Sequence, residues 1–158
     1  MSSSAIKPIV NVFLPCEEAA TNVDCVALDL KYGWWEIRRP LHTVQMPAGR
    51  KKGYLCPEIS LYCQLSGGVG NYWVMAELWQ LNLLEPQRSK RLMWSDYVAV
   101  EFENRVDAEG RLAVWEGTIR LVKVPFPKPG MYQFQLKESG LILQGGESYL
   151  RVLEGEQS

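Results

Sequence analysis

Apolar and polar residues alternate along most of the chain with a period of two, which is typical of β-strands. The period arises because successive side chains of a strand point to opposite faces of its sheet. Gly, Pro and Asn residues separate the alternating segments, as expected for turns. The pattern predicts strands at 8–15, 23–32, 34–37, 59–65, 72–81, 94–102, 112–124, 131–138, 141–144 and 148–153.

Strands that follow one another at such short intervals predict an all-β fold, an antiparallel two-sheet β-sandwich of immunoglobulin-like or jelly-roll type. Amphipathic helices do not alternate with these strands, which disfavours a parallel α/β fold. Two segments interrupt the pattern. Residues 16–22 are predicted to hold a helical turn, and residues 38–57, which contain three prolines and no acidic residue, are predicted to form a long, partly irregular connection.

The length of 158 residues is typical of one domain. We assign the domain to residues 8–153, between a flexible N-terminus at 1–7 and a frayed C-terminal tail at 154–158. The net charge of −1 gives no general attraction to nucleic acid or to anionic lipid. No apolar run is long enough to span a bilayer, and residues 1–8 lack the apolar segment of a secretory signal. These features predict a cytoplasmic protein without membrane contact.

The cysteines are Cys16, Cys25, Cys56 and Cys63, and their spacing matches no CxxC-type zinc or redox motif. We therefore expect free, mostly buried thiols, with no metal and no cofactor. His42 is the only histidine, and no G-x-S-x-G nucleophile motif accompanies it. The candidate acid pairs are interpreted as solvated side chains: Glu17–Glu18, Glu101–Glu103 and Asp107–Glu109. The sequence predicts no catalytic residue and a protein that is not an enzyme.

The segment 72–81 is unusual because it is apolar on both faces of a predicted strand. One face carries Tyr72, Val74, Ala76 and Leu78; the other carries Trp73, Met75, Trp79 and Leu81, interrupted by Glu77. One face of a two-sheet fold normally contacts water and is mostly polar. Either the 38–57 connection covers the second face, or Trp73, Met75, Trp79 and Leu81 form an interface with another copy of the chain or with another protein.

A second candidate site combines aromatic and basic residues at Trp34, Trp35, Arg38 and Arg39. Aromatic rings can stack on bases or sugars while guanidinium groups bind phosphate. The alternative function is therefore a ligand-binding module for a nucleic acid, a nucleotide or a sugar. A solvated rim of arginines explains the same residues, so nucleic acid is disfavoured as a partner.

Residues 126–136, Phe-Pro-Lys-Pro-Gly-Met-Tyr-Gln-Phe-Gln-Leu, resemble the F-P-x-P-G-x-Y-x-F-x-L closing hairpin of a bacterial family of small standalone proteins of unknown function. The segments 13–18, 70–78 and 150–152 are also similar to that family. The resemblance covers about residues 10–153, is weakest at 38–57, and implies a β-sandwich without an established activity. Together with the residue patterns, it predicts a non-catalytic interaction or structural module, a homo-oligomer or an accessory subunit of a bacterial complex.

Overall fold

The computed structural model describes residues 6–22, 34–47, 53–81, 91–103 and 110–154, with the side chains of 17–22 and 34–40 outside this set. The described residues form strands and no helix, which confirms an all-β fold. A helix of the length and apolarity needed to cross a membrane is absent from these ranges. The strands are Ile9–Asn22 (β1), Trp34–Pro40 (β2), Thr43–Met46 (β3), Tyr54–Ser66 (β4), Gly70–Gln80 (β5), Arg91–Phe102 (β6), Val114–Phe126 (β7), Gly130–Glu138 (β8) and Leu141–Glu154 (β9).

The strands form two sheets. Sheet A has the order β2-β1-β4-β7, and sheet B, which curls into a half-barrel, has the order β3-β9-β8-β5-β6. The strand pairs of both sheets are antiparallel except β3–β9, which is parallel. The prediction of a wholly antiparallel arrangement is therefore wrong at this pair. The reason is that Leu41 and His42 join β2 in sheet A directly to β3 in sheet B, without a hairpin that would pair the two strands.

One sequence prediction is corrected by the pairing of β1 and β2, and the strand bounds refine another. Residues 16–22 do not form a helical turn, because they extend β1 and pair with β2. Residues 38–57 were predicted to form a long, partly irregular connection; their described residues supply the end of β2, all of β3 and the start of β4, while 48–52 lie outside the described residues. The predicted strand 23–32 lies outside the described residues. Strands were correctly predicted at 59–65 and 131–138, both of which are strand throughout.

Both sheets contribute side chains to one hydrophobic core. The ring of Phe13 on β1 meets that of Phe134 on β8 edge to face, with 6.5 Å between centroids. Phe126 on β7 and Tyr132 on β8 make a similar contact at 4.9 Å. Because β1 and β7 belong to sheet A and β8 belongs to sheet B, these aromatic pairs connect the two sheets.

Candidate interaction face

Strand β5 lies between β8 and β6 in sheet B, and its two faces have different surroundings. The inner face carries Tyr72, Val74, Ala76 and Leu78, all of them buried in the core. The outer face of sheet B carries the alternate residues of β5, Trp73, Met75, Glu77 and Trp79. The structure thereby determines which side of the 72–81 strand contacts the core, a question that the sequence leaves open.

An exposed aromatic cluster lies on this outer face and spans β5 and the edge strand β6. Trp73 is 68% exposed, and Tyr97 on β6 is 57% exposed. Tyr97 is the cross-strand partner of the half-buried Met75, whereas Trp73 is opposite the exposed Ala99. We call Trp73, Met75 and Tyr97 the aromatic cluster. Large exposed aromatic side chains that lie together are typical of association sites.

An ion pair between a buried glutamate and a partly exposed lysine lies beside the aromatic cluster on the outer face. The Glu77 carboxylate is 2.6 Å from the Lys137 ammonium group on β8. The same oxygen, Oε1, accepts a hydrogen bond of 3.2 Å from the indole N–H of Trp79. The Lys137 ammonium group also lies 5.2 Å from the centroid of the Trp79 ring, at cation–π distance. Trp79 is therefore engaged within the protein.

A chain of amide hydrogen bonds continues this polar centre toward β9. Gln135 donates to Gln133 at 2.7 Å, and Gln133 donates to the exposed carboxylate of Glu147 at 3.1 Å. Within the described part of the chain, no buried side-chain nitrogen or oxygen lacks a hydrogen-bond partner. The ion pair and the glutamines thus each have polar partners, as expected of polar groups that serve a structural role.

The predicted interface residues are therefore not equivalent. Trp73 is largely exposed, whereas Met75, Trp79 and Leu81 are partly buried. Leu81 follows β5, and its backbone N–H donates to the Met131 carbonyl at 3.0 Å. The described residues of the 38–57 connection lie within the sheets, with β3 pairing at the edge opposite to β6. These residues therefore do not cover the aromatic cluster.

The alternative ligand site at Trp34, Trp35, Arg38 and Arg39 lies on β2, an edge strand of sheet A. The backbone of β2 pairs with the second half of β1. The side chains of these residues lie outside the described set. The ligand-binding interpretation stays a prediction from the sequence.

The cysteine thiols that the structure describes are in surroundings that oppose reactivity, and Cys25 lies outside the described residues. Cys16, Cys56 and Cys63 are free and buried, as expected. Burial raises the pKa of the Cys16 thiol to about 11, and burial together with the nearby Cys16 raises the pKa of Cys63 to about 12. Both thiols are therefore protonated at neutral pH. His42 is exposed, and its backbone carbonyl accepts a hydrogen bond from the Arg151 N–H.

The described residues form an open cleft but no cluster of potential metal ligands. No group of three or more His, Cys, Asp or Glu side chains in these ranges is arranged to hold a metal ion. An open cleft of about 590 Å³ lies where the starts of β4 and β6 meet the end of β7. The residues that line it are Gly53, Tyr54, Leu55, Arg91, Leu92, Met93, Pro125, Phe126 and Pro127.

No family model and no curated protein matches the chain. Solved structures of a β-glucosidase from Listeria innocua, in complexes with isofagomine, glucose and gluconolactone, show a weak overall similarity to this chain. Their TM-scores are 0.44, 0.44 and 0.43, at identities of 9%, 10% and 11%. They match 98%, 97% and 97% of this chain, which spans 17% of the length of those enzymes. A likeness of this size leaves the function to be argued from the residues themselves.

Proposed function

We propose that the chain is a non-catalytic protein-interaction module and that the aromatic cluster on the outer face of sheet B contacts the partner. The observation that carries this proposal is the exposure of Trp73 beside Tyr97 and Met75. Tryptophan and tyrosine anchors often dominate the energy of association, because they bury a large apolar area with few rotatable bonds. The partner is another copy of the chain or another protein.

The environment of the cluster supports binding over catalysis. The adjacent polar groups are Glu77 and Lys137, whose opposite charges neutralise each other beside the cluster. The buried thiols of Cys16 and Cys63 have raised pKa values, which makes them poor nucleophiles at neutral pH. A rigid sheet that presents an exposed aromatic anchor is suited to recognition of a partner surface.

The finer architecture is part of the same proposal. We propose that sheets A and B pack as a β-sandwich of immunoglobulin-like or jelly-roll type. The aromatic contacts between sheets and the common core support this arrangement. The bacterial family, the role as homo-oligomer or accessory subunit, and the cytoplasmic location belong to the proposal on the sequence grounds given above.

The proposal is tested by comparing Trp73→Ala with Val122→Ala, a matched loss of an exposed apolar side chain on sheet A. Light scattering across a concentration series measures self-association, and cross-linking in expressing cells followed by mass spectrometry measures association with other proteins. We expect Trp73→Ala to remove the association that wild type and Val122→Ala share. If neither variant changes self-association or cross-linking, the aromatic cluster is not the interaction surface.

A further inference from the structure

The open cleft of about 590 Å³ lies between the two sheets, where the start of β6 in sheet B approaches the start of β4 and the end of β7 in sheet A. Pro125 and Pro127 line its β7 side. Proline has no backbone N–H and therefore cannot complete a ladder with a neighbouring strand. The two sheets thus stay unpaired at this end, and the space between them is in the range of about 300–1,000 Å³ that is typical of small-molecule sites.

A β-bulge in β6 adds side chains to this cleft. Leu78 of β5 pairs with Trp94, whereas the next residue of β5 pairs with Leu92. Met93 is therefore the additional residue of the bulge. Leu92 and Met93 both line the cleft, although successive side chains of a regular strand point to opposite faces. Bulges redirect side chains in this way and are common beside functional sites.

The cleft contains two of the large apolar side chains that the fold leaves exposed. Leu55 on β4 is 60% exposed, and Leu92 on β6 is 44% exposed. Tyr54 and Met93, which also line the cleft, pack against the hydrophobic core and give it a supported base. A ligand with an apolar body would remove the two leucines from water, and the hydrophobic effect would favour its binding.

Arg91 gives the cleft a positive charge. It is the one charged side chain among the described residues that line the cleft, and no carboxylate of those residues accompanies it there. A guanidinium group stays protonated at physiological pH and can donate two parallel hydrogen bonds to a carboxylate. The charge therefore favours a ligand with a single anionic group over a neutral or cationic ligand of the same shape.

We propose that this cleft binds a small amphipathic carboxylate, with its aliphatic chain against the two exposed leucines and its carboxylate on Arg91. The flexible, unbranched side chain of Met93 adapts to the shape of the bound chain. The site goes beyond the proposed function and does not depend on it. Arg91 and Leu92 lie at the start of β6, whereas Tyr97 of the aromatic cluster lies at its centre.

An NMR titration with octanoate tests the location and the charge preference of the site. The full chain carries carbon-13 labels in its leucine and methionine methyl groups, and octanol is the matched ligand without the charge. We expect octanoate to shift the methyl resonances of Leu55, Leu92 and Met93 and to leave that of Leu141, an exposed leucine of β9, unchanged. Octanol should shift the same resonances with about fivefold weaker affinity. Equal affinities for the two ligands, or shifts that include Leu141, would overturn the proposal.

Variants of the cleft separate the carboxylate contact from the apolar contact. Arg91→Gln should weaken octanoate binding about fivefold and leave octanol binding unchanged, which also shows that the variant keeps its fold. Arg151→Gln removes an exposed arginine of β9 outside the cleft and should change neither ligand. Leu55→Trp should fill the cleft and weaken both ligands, whereas Leu141→Trp should weaken neither. A preference for octanoate that survives Arg91→Gln, or binding that is unaffected by Leu55→Trp, contradicts the proposal.

Discussion

The two faces of β5 are both rich in apolar residues, yet the fold uses them differently. On the inner face, Tyr72, Val74, Ala76 and Leu78 are buried among the side chains of both sheets. On the outer face, Glu77 interrupts the apolar residues, pairs with Lys137 and hydrogen-bonds to Trp79. Trp73 at one end of that face is left exposed. The Glu77–Lys137 ion pair therefore distinguishes the outer face from the hydrophobic inner face.

The comparison shows that apolar content does not by itself assign a strand face to the core. A buried charge is costly unless it is paired, so its position is determined by the register with its partner. Glu77 on β5 and Lys137 on β8 are brought together only by the pairing of those two strands. The outer face consequently carries an ion pair in addition to the exposed Trp73, whereas the inner face packs into the hydrophobic core.

The largest expected effect is on the inner face. Leu78→Ala should lower the free energy of unfolding by about 2–5 kcal/mol, because truncation of this fully buried side chain leaves a cavity in the core. Urea unfolding followed by circular dichroism measures the change. The matched outer-face truncation is Leu92→Ala, an exposed leucine of β6, for which we expect less than about 0.5 kcal/mol. Equal costs for the two variants would remove the distinction between the faces.

The ion pair should contribute the next largest effect. Glu77→Leu leaves Lys137 without its carboxylate and should cost about 2 kcal/mol, a value reduced by the partial exposure of the lysine. The double variant Glu77→Leu/Lys137→Met removes both charges and should recover most of that loss. Unfolding measurements on Glu77→Leu, Lys137→Met and the double variant give the coupling energy between the two side chains. Additive losses in the double variant would show that the two side chains do not stabilise each other.

A second carboxylate, Glu138, lies opposite Val74 and is held by Lys7 and Ser139. Burial alone would raise the pKa of Glu138, but the hydrogen bonds and the charge of Lys7 outweigh it, so the pKa is lowered. The stability from this group is therefore fully present above the ordinary carboxyl pKa and is lost as the pH falls through the lowered value. Lys7→Met should cost about 1 kcal/mol at pH 7 and progressively less as the pH falls through the lowered pKa of Glu138. Unfolding curves across an acid pH series measure this decline, and a cost that does not change with pH would contradict it.

The smallest expected effect on stability is that of Trp73→Ala, which should change the free energy of unfolding by less than about 0.5 kcal/mol because the ring is mostly exposed. The same substitution should weaken association by about 2 kcal/mol or more if Trp73 anchors the partner. Thermal unfolding and light scattering on one sample separate the two effects. A large loss of stability would place Trp73 in the core network instead.

Much of the strand content could be predicted from the alternation of side chains, since both 59–65 and 131–138 place one apolar face in the core. The second half of β1 could not, because Glu17, Glu18, Ala19 and Ala20 have low strand propensity. Pairing with β2 overrides that propensity. The passage of the chain from β2 to β3 is likewise determined by tertiary pairing, here with β9.

The candidate interaction face could likewise be predicted from the sequence only in part. The apolar outer residues of 72–81 singled out this strand as a candidate from the sequence, and the structure shows that Trp73 is its largely exposed member. Tyr97 was missed because its contribution depends on the pairing of β6 with β5. Lys137 was missed for the same reason, since it lies sixty positions after Glu77 and meets it only through β8. In the sequence, the isolated Glu77 in an otherwise apolar face was the one indication that a charged side chain needed a partner of opposite charge.

The most direct test of the aromatic cluster as the interaction surface is hydroxyl-radical footprinting of the full chain, read residue by residue with mass spectrometry. Samples are the purified protein at low concentration and the same protein inside the cells that express it. We predict that Trp73 and Tyr97 are oxidised in the dilute sample and protected in the cells, while the exposed Val122 and Leu141 are oxidised equally in both. Equal oxidation of Trp73 in the two samples, relative to those controls, would contradict the account.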